Sequence, residues 1–194
     1  MPLQNRVDPW GSLVATGEHG TLMGNRGGRF HSGDQTLGRR RWASNRWISC
    51  EVAFKGRHRN IWGTSYTEIF FLDDVTALAA GHRPCFECRR AEAKRFLGVY
   101  NLTDFDRRLH AERRADKPMV FVSGVPSGAM VEHEGAAFAR RGDHFLRWSF
   151  AGYTEAVQFN PAMRVKLLTA PSITAILADG FQPRWHESAL QWDD

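Results

Sequence analysis

Residues 45–54 alternate. Ile48, Cys50, Val52 and Phe54 share one face of an extended segment, and Trp47, Ser49, Glu51 and Ala53 share the other. A period of two predicts a strand, with Cys50 pointing with the apolar side chains. KGRHRNIWGTSY then reads as a turn or loop, and TEIFFL (67–72) as a second strand rich in aromatic and branched residues. DDVTALAAG (73–81) predicts a short helix, capped by Asp73 or Asp74 and closed by a left-handed Gly81. RRAEAKRFLGVY begins another helix, and residues 103–114 a third, in which Phe105 and Leu109 lie four apart on one face. After Lys117-Pro118 the texture changes. MVFVS, GAMVEHEG, HFLRWSF, EAVQF and RVKLLT are short strand-like runs between Gly, Pro and Asn turns. Residues 171–180 predict a last helix, with Pro171 in its first turn and Gly180 at its end.

This pattern predicts an α+β fold. Residues 1–116 form a half with short helices and residues 117–194 a strand-rich half, as two units or one compact domain. Residues 17–34 hold six glycines without a period and read as an irregular loop or hairpin. GNRGG matches neither a Walker loop nor GxGxxG, and no helix pattern follows it. VTALAAGHRP (75–84) resembles ITAILADGFQP (173–183) with one residue inserted; short Gly-capped helices can match in this way without duplication. Trp148, Trp185 and Trp192 are expected in the core of the second half.

Composition narrows the class. With 194 residues, 42% apolar and 24% charged, the chain reads as an ordinary globular protein. No run is long and apolar enough for a membrane helix, and the first residues lack a signal-peptide pattern, so the expected compartment is the cytoplasm. The net charge is +5, and its distribution says more than its size. Residues 39–59 carry Arg39, Arg40, Arg41, Arg46, Lys55, Arg57 and Arg59 against the single acid Glu51, with Trp42 and Trp47 inside the run. Cations interleaved with aromatics can hold phosphates and stack bases. The plainer alternative is a solvated basic face over two core tryptophans.

Three cysteines do not make a disulfide framework. Cys85 and Cys88 have the C-x2-C spacing of a metal knuckle, which supplies two ligands from one tight turn. Cys50 is the expected third ligand. His58, on the loop after the Cys50 strand, is the preferred fourth, and His82 the alternative. A thioredoxin-like dithiol normally follows a strand and opens a helix, whereas here a helix precedes the pair. An inert buried pair is the other alternative. In either functional case Arg83, Arg89 and Arg90 would stabilise thiolates.

FFLDDVTALAAGHRPCFECRR, with WISC before it, resembles the N-terminal metal-binding domain of the Ada DNA-repair proteins. The resemblance spans residues 47–90. It implies a zinc site in which Cys85 and Cys88 match the family's knuckle and Cys50 its first-half cysteine. His58 falls near the place of a further family cysteine that has no counterpart here. It also implies contact with DNA backbone and, in the family, methyl transfer from a methylphosphotriester to a metal-activated cysteine. Three cysteines and one histidine carry less negative charge than four cysteines, which should make a bound thiolate less nucleophilic.

The expectation is therefore a zinc-stabilised nucleic-acid-binding protein, with DNA as the partner. Arg39, Arg40, Arg41, Arg57, Arg59, Arg89 and Arg90 would meet phosphates, and Trp42 or Trp47 would stack. An enzyme is the first alternative, with Cys50 as methyl acceptor or with a nuclease-like second metal site. That second site would draw on His31, His133, His144 and His186 with Asp34, Glu132, Glu134 and Asp143. A structural protein-interaction module is the second alternative.

Overall fold

The computed structural model describes residues 1–56 and 60–192, so Arg57, His58 and Arg59 lie outside the described residues. The fold is α+β and holds two six-stranded sheets. The first contains β1 (Arg6–Val7), β2 (Leu13–Val14), β3 (Leu22–Arg26), β4 (Trp47–Glu51), β5 (Ile69–Phe71) and β6 (Arg83–Pro84). Their order is β2-β1-β5-β3-β4-β6.

The strand β3 lies inside the stretch expected to be irregular. Its residues LMGNR are all buried, between β5 and β4. Gly24 explains both the strand and its disguise. A Cβ there would stand 2.5 Å from the Ile48 carbonyl oxygen and 2.6 Å from the Phe71 ring, so only glycine admits the close approach. A strand built around glycine, Asn25 and Arg26 carries no apolar alternation to read.

Alternation sorts sheet 1 into two faces. Leu22, Ile69 and Phe71 pack with Ala77 and Ala80, from or just after helix α1 (Asp74–Ala79). Met23, Ile48, Cys50 and Phe70 occupy the opposite face. Asp73 caps α1 by accepting from the Thr76 N–H at 2.9 Å and its hydroxyl at 2.8 Å, and Gly81 takes φ +79° past its end. Helix α2 (Arg90–Leu97) follows β6, and α3 (Leu102–Arg114) starts at Asn101, whose side chain accepts from Thr103 and Asp104 N–H.

The second sheet contains β7 (Met119–Phe121), β8 (Met130–His133), β9 (Ala136–Arg141), β10 (His144–Ser149), β11 (Gly152–Val157) and β12 (Arg164–Leu167), in the order β11-β10-β9-β8-β12-β7. β9 has no counterpart among the expected strands. Its inward positions include Ala137 and Ala139, too small to mark an apolar period but fully enclosed. Helix α4 (Pro171–Ala178) and a 3-10 turn (Glu187–Trp192) complete the chain.

The halves share their core across residue 116. Leu78, Phe105 and Leu109 pack with Val131, Phe138 and Ile173. Val75 and Ala79 pack with Met130, Leu146 and Tyr153, and Trp148, Trp185 and Trp192 lie against that group. Three donors from the second half converge on the α1 cap. The Trp148 indole donates to the Thr76 hydroxyl at 3.0 Å, while the Tyr153 hydroxyl at 2.9 Å and the His186 N–H at 3.0 Å donate to Asp73. No helix among the described residues is long and apolar enough to cross a membrane.

Candidate metal centre

The parallel pairing of β4 with β6 assembles the cysteine site. Ile48 faces Arg83 and Ser49 faces Pro84 in this register. The Cys85 N–H then donates to the Ser49 carbonyl at 2.9 Å, which sets the knuckle beside Cys50. The turn closes when the Arg89 N–H donates to the Cys85 carbonyl at 3.0 Å. The sulfurs of Cys50, Cys85 and Cys88 all lie within 4.8 Å of one another. Zinc with Zn–S bonds of about 2.3 Å would separate tetrahedral sulfurs by about 3.8 Å, so small side-chain shifts would seat an ion.

The backbone favours negative charge here. The Glu87 N–H donates to the Cys85 sulfur at 3.3 Å and the Glu51 N–H to the Cys88 sulfur at 3.4 Å. The Cys85 thiol is held low because the Cys50 thiol, then the Cys88 thiol, donates to it, with the Cys88 and Glu87 N–H groups adding to the effect. Cys50 is pushed far up by the same sharing with Cys85 and Cys88 and by burial. These three residues could hold a metal ion; among the described residues no fourth His, Cys, Asp or Glu atom joins them. They line a cleft of about 740 Å³ on the side of sheet 1 away from α1, which Asn25, Arg46, Thr64 and Tyr66 also line.

His82, the alternative fourth ligand, is elsewhere. It is fully buried on the other side of sheet 1, against the rings of Trp47 (5.0 Å) and Phe71 (4.7 Å). Its Nε2 faces the Arg26 guanidinium at 3.3 Å. Burial first, then Arg26 and Arg113, hold this imidazole neutral, well below its ordinary range. The preferred ligand, His58, lies outside the described residues.

The knuckle arginines also depart from expectation. Arg89, expected at phosphate or thiolate, has a fully buried side chain. It pairs with Asp74 at 2.6 and 2.7 Å and also donates to Ser49 and Glu92. Arg184, from the far end of the chain, reaches Glu51 at 2.8 Å and Glu92 at 3.2 Å, closing a mixed-charge network behind the knuckle. Arg83 is buried in a two-pronged pair with Asp106 at 2.7 and 2.8 Å. Carboxylates supplied by α1 and α3 draw both arginines inward, and nothing in the knuckle sequence signals that. Arg90 alone of the three is exposed.

The basic run is split. Arg39 and Arg40 are exposed and Arg41 half-buried, while Arg46 lines the cysteine cleft. Trp42 is 37% exposed. Trp47, expected as an alternative stacking residue, is 6% exposed and cannot stack a base. It is enclosed by the guanidiniums of Arg26 at 4.0 Å and Arg113 at 4.4 Å from its ring. Burial pushes both guanidiniums down to about 9. Arg26 is not among the residues the sequence pattern singles out, because one arginine in a Gly-rich stretch gives no sign of burial.

The expected His and acid groups do not converge. Glu134 and Gly135 take φ +49° and +76° as the two-residue turn between β8 and β9, so the Glu132-His133-Glu134 run marks a hairpin end. Glu132 accepts from the Trp10 indole at 2.7 Å and from Lys166 at 3.0 Å. His31 is buried, bonded to Thr67 at 2.7 Å and the Gly63 carbonyl at 3.0 Å, and His186 meets Ser188 at 2.8 Å. Asp34 bonds its neighbour Thr36. Asp143 and His144 fall at the β9–β10 turn, where Gly142 takes φ +55°.

No family model matches this chain, and neither a curated protein nor a solved structure does.

Proposed function

We propose that this chain is a zinc-stabilised nucleic-acid-binding protein, with zinc held by Cys50, Cys85 and Cys88. The observation that carries the reading is the meeting of three sulfurs within 4.8 Å, two from a knuckle and one from a strand 35 positions before it (85 − 50). Soft thiolates in a tetrahedral arrangement select zinc over hard cations. His58 is the proposed fourth ligand. The ion would cross-link β4 to the knuckle and fix the geometry of the cleft. The local resemblance to the Ada metal-binding domain supports both the zinc and a role on DNA, including DNA repair.

Nucleic-acid binding is supported by charge. Arg39, Arg40, Arg46 and Arg90 are exposed, and no acidic partner faces them among the described residues. The test is binding of labelled DNA across a salt series, with and without a zinc chelator. The expected result is affinity that falls steeply with salt, and that chelation lowers only as far as it unfolds the chain. Absent or salt-insensitive binding at low ionic strength overturns the reading and leaves a zinc-stabilised protein-interaction module.

The open cleft favours a second reading, in which Cys50 accepts a methyl group. With its proton first lost to solvent, the Cys50 thiolate would bond the methyl carbon as the methyl–oxygen bond breaks, leaving a thioether and a phosphodiester anion. Protein that gains no methyl mass from a methylphosphotriester oligonucleotide removes this version.

A further inference from the structure

The exposed tryptophan of the basic run meets a helix end far from it in sequence. The Trp42 ring stands 5.7 Å from the His110 ring of α3, edge to face, and 6.0 Å from Trp47. These two rings hold Trp42 in place while leaving it 37% exposed. Arg40 folds onto the same loop, donating to the Trp42 carbonyl at 2.7 Å and the Ala43 carbonyl at 3.1 Å. Arg41 donates to carbonyls of its own loop, and Arg114 is exposed at the end of α3.

The charge at this corner is not neutralised locally. Arg39, Arg40, Arg41 and Arg114 have no carboxylate at ion-pair distance among the described residues. Behind them Arg26 and Arg113 donate to carbonyls of Gly11, Arg41, Gly81 and Asn45 rather than to acids. The acids nearest in effect are engaged elsewhere, Asp8 with the Ser12 N–H and Asp106 with Arg83. Guanidiniums in a low-dielectric setting project more field than solvated ones. An aromatic face fixed on such a surface suits a ligand with an alternating flat ring and anion. A duplex covers its base faces by stacking, whereas a single strand can offer one.

From this juxtaposition we infer that the Trp42–His110 corner is a platform for single-stranded nucleic acid, stacking one unpaired base on Trp42 and meeting phosphates with Arg39, Arg40, Arg41 and Arg114. The inference deepens the nucleic-acid reading above and rests on it. The corner also lies on the side of β4 away from the cysteines, so the strand it binds need not touch the metal.

The experiment is fluorescence anisotropy of a labelled oligo-dT and of a duplex of equal length, over a salt series, with the zinc-loaded full chain. The expected result is at least about tenfold tighter binding of the single strand. Trp42→Ala should weaken it by about tenfold or more with an unchanged salt slope, and Trp42→Phe should restore most of the affinity. Arg39→Ala with Arg40→Ala should flatten the slope by about 0.7 for each phosphate that is no longer met by a guanidinium. Unchanged zinc content and circular dichroism in each variant establish that it is folded. Equal or tighter duplex binding, or a Trp42→Ala variant that binds as well as wild type, overturns the inference while leaving the nucleic-acid reading standing. No binding of either oligonucleotide at low salt overturns both.

Discussion

Adjacent residues of one strand face two different chemistries. On one side of β4, Arg46, Ile48 and Cys50 border an open cleft with three sulfurs at its edge. On the other, Trp47 and Ser49 face buried cations, an aromatic stack and the Arg89–Asp74 pair. The first side is open to solvent and is short of a ligand among the described residues. The second is dense, with Arg26 and Arg113 bonded to backbone carbonyls and Arg89 to carboxylates, while His82 Nδ1 and one Arg113 nitrogen are left without a partner among the described residues. A run of arginines and tryptophans that looks uniform in sequence is thus divided by the pleat into a cysteine side and an aromatic side.

The largest effect should come from the cysteine side. Cys85→Ala should abolish metal binding and lower the free energy of unfolding by on the order of 5 kcal/mol or more, read by chemical denaturation. If the two sides are independent, the Trp42 corner of that variant still quenches with single-stranded DNA wherever it stays folded.

Next comes the network that joins the knuckle to α1. Arg89→Met leaves buried Asp74 with only Arg184, whose N–H donates at 3.0 Å and whose Nε stands at 3.5 Å, and should cost about 3 kcal/mol. Adding Asp74→Asn should recover part of that loss, because the uncompensated charge is gone. Equal loss in the single and double variants would show that packing, not charge, joins the two sides.

Buried His82 makes the aromatic side sensitive to pH. Its folded value lies well below its ordinary one, because of burial and then Arg26 and Arg113. As pH falls through about 6.5, the unfolded chain takes up a proton that the folded chain refuses. Stability should therefore fall by up to about 1.4 kcal/mol per unit below that point. His82→Gln should remove this part of the slope, while proton competition at the cysteines remains in both proteins. Identical slopes would count against a neutral buried His82. The smallest effect is Tyr153→Phe, which removes one donor to Asp73 and should cost about 1 kcal/mol.

Local signals served where one element's own residues decide its structure. The alternation around Cys50, the Asp73 cap, the Gly81 ending and the Phe105/Leu109 stripe all appear in the structure near where the pattern predicts them. The meeting of Cys50 with the C-x2-C turn was legible from spacing and residue type. What stayed hidden depends on partners remote in sequence. β3 is concealed because Gly24 is needed for a close approach rather than for a turn, and β9 because alanines fill its enclosed positions. Arg83 reads as a thiolate partner and Arg89 as a thiolate or phosphate partner until Asp106 and Asp74 are placed beside them. Trp47 reads like Trp42 until Arg26 and Arg113 close over it.

The three sulfurs are proposed to hold zinc. Native mass spectrometry of the full chain, purified without added metal, tests it most directly. The expected spectrum shows one zinc per chain, absent from Cys85→Ala. Metal-free protein with three freely titratable thiols would contradict it.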